Sequence, residues 1–246
     1  MKNSWRKTIG LSLPLAMVSI GLFTAQLNAM GLRSFVALPV EKDGTVLRLQ
    51  LEHTDHADTD TLITNAAYGL NAKQTLLLGM PYRLSPAGSN RQGDLSVLFR
   101  QMLQQQDSHT GTHRLGLLGG AVIPTRSKRD TALQSGLVYT AFSGRNELDI
   151  DVLYQLGTNN RIDSARFDLS WQYRLTPAER PDWGIASELN SVLELNGRWR
   201  ESQTTTQQIT TGLQWVHARW VLEGGIVKDL NNTHELRYLV STRFHF

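Results

Sequence analysis

The chain has 246 residues, no cysteine, and 25 basic against 22 acidic residues. Without cysteine there is no disulfide framework, so stability must come from hydrogen-bonded structure and burial. Residues 1–29 hold three of the basic and none of the acidic residues, leaving 22 of each in the remainder; the electrostatic case for a nucleic-acid partner disappears with them.

The first segment, MKNSWRKTIGLSLPLAMVSIGLFTAQLNA, places Lys2, Arg6 and Lys7 ahead of an apolar run from Ile9 to Phe23 and ends on Leu27-Asn28-Ala29. That is the layout of a cleavable secretory signal peptide, and the apolar run is shorter than the ~20 residues a helix needs to cross hydrocarbon. The expected division is a signal peptide over 1–29 and a single all-β domain over 30–246. Residues 30–44, MGLRSFVALPVEKDG, carry no strand pattern and either plug that domain or lie outside it. From there the sequence alternates, and twelve strands are predicted at 45–53, 62–71, 75–83, 94–104, 112–123, 131–142, 147–157, 165–175, 185–199, 207–216, 219–228 and 235–246.

The pattern is cleanest in the middle. Leu148, Ile150, Val152, Tyr154 and Leu156 oppose Glu147, Asp149, Asp151, Leu153 and Gln155; Phe167, Leu169, Trp171, Tyr173 and Leu175 oppose Arg166, Asp168, Ser170, Gln172 and Arg174. Period two sends these sets to opposite faces of a strand, and the lengths suit tilted membrane strands of about 9–11 residues. An exported β-sandwich would alternate too, with the apolar face inward, but its strands would run nearer five or six residues.

The connections separate the two architectures. LNAKQ (70–74), SGRNE (143–147) and HAR (217–219) are short, with longer exceptions at 104–113 and 176–184. The other set, around Asp58, Ser89, Lys128, Asn160, Thr204 and Asn232, is longer and more polar. An even strand number with short turns at one end and long loops at the other predicts a closed antiparallel transmembrane β-barrel in the outer membrane of a Gram-negative bacterium. Both termini and the short turns are then periplasmic. The last strand, ELRYLVSTRFHF, runs to the final residue, as it must if it closes the barrel on the first strand.

A C-terminal strand ending in Phe246 resembles the signature that the barrel-assembly machinery reads in outer-membrane proteins. YGLNAKQTLLLGMPY (68–82), GDLSVLFRQML (93–103), RLGLLGGAVIPT (114–125) and LDIDVLYQLG (148–157) resemble the outer-membrane family named after the phenol meta-degradation pathway. Where that family has Leu-Pro-Thr-Gly after its fifth strand, this chain reads Ile123-Pro124-Thr125-Arg126 and loses the glycine. The resemblance implies a channel for small solutes, hydrophobic or aromatic compounds among them.

In such a barrel the polar parity lines the lumen. The candidate lining residues are Arg48, Glu52, Arg100, Glu147, Asp149, Asp151, Asp168, Arg174, Glu188, Glu194, Arg198, Arg237 and Arg243, which either set solute preference or pair into a sealed interior. EHTDHADTD (52–60) has a composition that suits a divalent cation, but His53 and His56 fall in an expected loop and read as a solvated one, so neither a metal nor a cofactor is expected. No nucleophile motif points to an enzyme; the alternatives to a channel are a structural or adhesive barrel with a sealed lumen and a rim-active hydrolase. Trp171, Tyr173, Trp199, Trp215, Trp220, Tyr238 and Phe244 are expected in interfacial girdles against outer-membrane lipid.

Overall fold

The computed structural model describes residues 31–127, 129–176, 187–217, 219–231 and 234–246. The expected signal peptide, the loop positions Lys128 and Asn232 and most of the 176–184 connection lie outside the described residues. Twelve strands follow in order: β1 (Thr45–Thr54), β2 (Thr59–Asn71), β3 (Gln74–Ser85), β4 (Leu95–Ser108), β5 (Gly111–Ile123), β6 (Ala132–Ser143), β7 (Asn146–Gly157), β8 (Ser164–Arg174), β9 (Ser187–Arg200), β10 (Thr206–His217), β11 (Trp220–Asp229) and β12 (Leu236–His245). Each pairs antiparallel with the next, and β12 pairs with β1, so the sheet is a closed barrel. Closure satisfies the backbone groups that an open edge would leave in hydrocarbon. The pairing reaches the last residue, since Thr45 and Phe246 exchange both backbone hydrogen bonds, at 3.1 and 2.8 Å.

Alternation left two architectures open, and burial decides between them. In β7 the buried side chains are Glu147, Asp149, Asp151 and Leu153, while Ile150, Val152 and Tyr154 are exposed. In β8 Asp168, Ser170 and Gln172 are buried while Phe167 and Trp171 are exposed. A sandwich would reverse this, because its apolar faces meet in the core. Here the polar parity faces the lumen and the apolar parity clothes the outside, as in membrane barrels.

The outer surface is banded. Near the long-loop rim His53 stacks on Tyr238 and Tyr154 on Trp199, with ring centroids 6.3 Å apart in both pairs. Near the turn rim lie Trp171 with Tyr173 at 6.2 Å and Trp215 edge-on to Trp220 at 5.0 Å. Two girdles flanking an apolar band fit the aromatic residues' preference for an interface where one end is dry and the other wet.

Two connections differ from the sequence reading. The 104–113 stretch is no long loop: β4 runs to Ser108, β5 starts at Gly111, and only His109 and Thr110 turn between them. A register shift between Met102 and Gln104 resets the parity, and Gln104–Ser108 project exposed on both faces. Alternation is lost there because neither face is buried. At the other rim the 53–60 connection shortens to residues 55–58, since Thr54 and Thr59 already pair and His53 Nδ1 lies 2.8 Å from Asp60. In the 124–131 loop Arg126 donates to the Ser89 carbonyl of the neighbouring loop.

Candidate functional site in the lumen

Five of the buried carboxylates, Glu147, Asp149, Asp151, Asp168 and Glu194, stand together on β7, β8 and β9, while Glu52 stands on β1 and Glu223 and Asp229 on β11. The buried arginines Arg48, Arg100 and Arg243 stand on β1, β4 and β12. The remaining candidates, Glu52, Arg174, Glu188, Arg198 and Arg237, occupy the same inward parity. Burial of so many charges requires partners, and most have them. Arg198 meets Asp168 at 2.7 Å, Arg174 meets Glu188 at 3.3 Å, and Arg237 meets Glu235 at 2.9 Å and Asp229 at 3.7 Å. Glu223 gathers Arg48 at 2.8 Å together with Arg243 and the Ser241 hydroxyl. Glu147 Oε1, like Asp151 Oδ1 and Asp168 Oδ2, has no hydrogen-bond partner among the described residues.

Residues 31–44 thread between the two charged walls, so the N-terminal segment is a plug. It runs so that one edge meets acids and hydroxyls and the other meets guanidinium groups. On the first edge, Arg33 N–H donates to Glu194 at 3.2 Å, Phe35 N–H to Asp151 at 2.7 Å, and Ala37 N–H to the Thr140 hydroxyl at 2.9 Å. Thr140 in turn donates to Asp149 at 2.6 Å, and Gln172 donates to the same carboxylate at 2.9 Å. On the second edge, Arg100 donates to the Val36 carbonyl at 2.5 Å and Arg48 to the Leu32 carbonyl. In extended chain the N–H and C=O of one residue point the same way and alternate with the next, so odd residues face the acids and even residues the arginines. The wall thus does with side chains what a neighbouring strand does with its backbone. Arg100, a lining candidate, thus has as partners the Val36 carbonyl and, at 3.1 Å, the Thr75 hydroxyl.

Apolar contacts fix the plug as well. Leu32 is fully buried against Val192, Val227 and Leu239, and Ala37 against Leu98, Leu118, Val138 and Leu153, with Phe35 packed beside them. Paired Gly212 and Gly225 make room for Leu32, because a Cβ on either would lie within 2.7 or 2.9 Å of its Cδ1. At the turn rim the segment crosses Gly69, whose missing side chain lets the Glu41 carbonyl pass where a Cβ would sit. Asp43 N–H then donates to the Gly69 carbonyl at 2.8 Å and β1 begins.

Sequence reasoning missed Glu223 and the plug anchors. The inward set of β11, Val221, Glu223, Gly225, Val227 and Asp229, mixes apolar and charged side chains, which hid its facing. The apolar residues on polar parities, Leu153 and Leu239, were the available signal, since an unexplained apolar lumen residue implies something apolar against it. In the histidine-rich segment His53 Nδ1 lies 2.8 Å from Asp60, and among the described residues no cluster of three ligating side chains forms.

Cavities lie beside the plug. One of about 510 Å³ runs alongside it from Asp94, Gln155 and Arg161 at the long-loop end to Val40 and Val46 near the turn end. Another, of about 720 Å³, is a vestibule at the long-loop end. Arg33, Arg166 and Arg198 line both.

The fold has solved counterparts. The KdgM porin matches 82% of this chain and 99% of its own at 9% identity, with a TM-score of 0.55; the same porin in complex with disordered oligogalacturonate gives 0.53. The COG4313 outer membrane channel from Pseudomonas putida F1 matches 87% of this chain and 98% of its own at 16% identity, with a TM-score of 0.51. No family model matches the sequence, and no curated protein matches it at a significant level. At these identities the likeness is one of fold.

Proposed function

We propose that this chain is an outer-membrane channel for small solutes, narrowed by its own residues 31–44. The observation that carries the reading is the cavity of about 510 Å³ beside the plug, whose lining extends from Asp94, Gln155 and Arg161 to Val40 and Val46. Its size suits a small molecule. Much of its lining is apolar, with Phe35, Leu38, Ile63, Leu77 and Leu98 among the contributors, which agrees with the hydrophobic and aromatic solutes implied by the resemblance to the phenol meta-degradation-pathway family. The porins and the channel that share the fold support the same role by analogy.

A second reading, a sealed structural barrel, is favoured by one observation: the plug is bonded along both edges, by Glu194, Asp151 and Thr140 on one and by Arg100 and Arg48 on the other.

Conductance in a planar bilayer distinguishes the two leading readings. The refolded chain should pass a small, steady current, and a variant lacking residues 31–40 should pass a larger one. A current only after deletion would make the native barrel a closed form, and no current from either protein would establish the sealed structural reading.

A further inference from the structure

The apolar lining of the passage bears on the body of the solute; the junction of the two cavities bears on its charge. The vestibule is lined by five guanidinium groups, Arg33, Arg166, Arg198, Arg200 and Arg237, and by two carboxylates, Asp229 and Glu235. Both carboxylates are already held by Arg237, at 3.7 and 2.9 Å. Arg33, Arg166 and Arg198 line the passage beyond it as well, so a solute moving between the cavities travels past all three. Their own counter-charges sit back from the vestibule. Asp151 and Asp168, the partners of Arg166 and Arg198, line neither cavity, and Glu52, the partner of Arg33, lines only the passage.

Of the three, Arg166 is the least tightly tied to its own counter-charge. Its contact with Asp151 is 3.8 Å long and is not a hydrogen bond. The guanidinium is held in place instead by the Phe35 ring, whose centroid lies 4.0 Å from Cζ, so it is oriented without being consumed. Between low-dielectric walls such an arrangement concentrates anions. Guanidinium groups match carboxylates through paired N–H donors, and the amides of Gln155 and Gln203 line the same space, while those of Gln208 and Gln134 already donate to Asp229 and Gln155 and Gln208 accepts from Arg33 at 2.7 Å.

We propose that Arg33, Arg166 and Arg198 form an anion-binding gate between vestibule and passage, and that the solute is a small organic anion carrying two or more carboxylates. The inference rests on the channel reading and names its solute class. Calorimetric titration of the refolded full-length mature chain in detergent tests it, with tricarballylate as probe, glycerol as its neutral counterpart and inorganic phosphate as a compact anion. Tricarballylate should bind at about 0.05 M salt and weaken by about tenfold or more at about 0.5 M, where screening is far shorter. Glycerol should give no heat, and phosphate should bind more weakly because it cannot reach separated arginines. Arg166→Gln should weaken tricarballylate about tenfold and Arg166→Lys by less, since the charge remains without its planar fork. Arg33→Gln lies on the plug, not the wall, so it reports even if Arg166→Gln fails to fold, and the same loss is expected. No binding by the wild type, equal binding of glycerol, tighter binding of phosphate, or indifference to both substitutions would each overturn the proposal. A wild-type chain that conducts in bilayers without binding tricarballylate would sink the gate and leave the channel standing.

Discussion

Leu32 has no polar side-chain atom, yet it is fully buried in a lumen lined with charge. It survives there because β10 and β11 each supply a glycine at one paired position and Val192, Val227 and Leu239 surround it. Leu32→Ala should forfeit side-chain burial of about 2–5 kcal/mol in a site that cannot collapse onto a smaller residue. The amides of Phe35 and Ala37 should then exchange with solvent faster by hydrogen-exchange mass spectrometry while the β7 ladder stays protected; unchanged plug protection would mean that the backbone hydrogen bonds alone hold it. The outer face tests the opposite sign of the same physics. Ile150→Arg puts a charge where lipid is expected and should cost about 2–4 kcal/mol near the bilayer midplane. Gln155→Arg, on the inward parity and lining both cavities, should be tolerated. Heat-modifiable gel migration reads both, and equal sensitivity would contradict the assigned facing.

Among the elements, β12 carries the closure, and its terminal exchange of hydrogen bonds with Thr45 involves the last residue of the chain. If the terminal aromatic is what the assembly machinery reads, deleting Phe246 should lower the amount of folded barrel in the outer membrane while export continues; unaltered outer-membrane levels would remove that role. The loops set the orientation. Cysteines at Asn160 and Thr204 should react with an impermeant thiol reagent on whole cells and one at Arg145, in the β6–β7 turn, should not. The long-loop rim also carries its own electrostatic tie, in which Asp94 accepts from Arg129 and Arg161, both at 2.8 Å. Burial of Asp94 opposes its ionisation, but these two arginines and the Thr125 N–H outweigh that and hold the carboxyl below its ordinary value. A lowered folded value means the tie is intact above the ordinary aspartate range and is lost as pH falls through the folded value. Proteolysis of the 124–131 loop should therefore stay slow down to acid below about pH 4 and quicken below it, and Asp94→Asn should make it equally fast at neutral pH.

For the whole molecule, strand number and closure could be read from the sequence because period-two alternation over about ten residues leaves few other solutions. What could not be read was what the lumen contains. Residues 31–44 make no strand, so no periodicity marked them, and their docking depends on side chains from β1, β4, β6, β7 and β9 that meet only once the barrel closes. From the sequence, the acidic ladder Glu147, Asp149 and Asp151 either sets solute preference or pairs into a sealed interior. In the structure Asp151 accepts Phe35 N–H at 2.7 Å, and Asp149 accepts from the Thr140 hydroxyl that holds Ala37. The carboxylates hold peptide groups before they meet any ion. The triple change Glu147→Gln, Asp149→Asn and Asp151→Asn should thus have two effects. It weakens the plug, because a charge-assisted acceptor is about twice as strong as a neutral one. It also leaves Arg166 without its counter-charge at the gate. In a planar bilayer the variant should show a larger and noisier conductance than the wild type, and its reversal potential in a salt gradient should move toward anions most at low ionic strength, where screening is weakest. A shift in selectivity at unchanged conductance would restore the ladder as a simple channel lining. A larger conductance with no shift would confine its role to the plug.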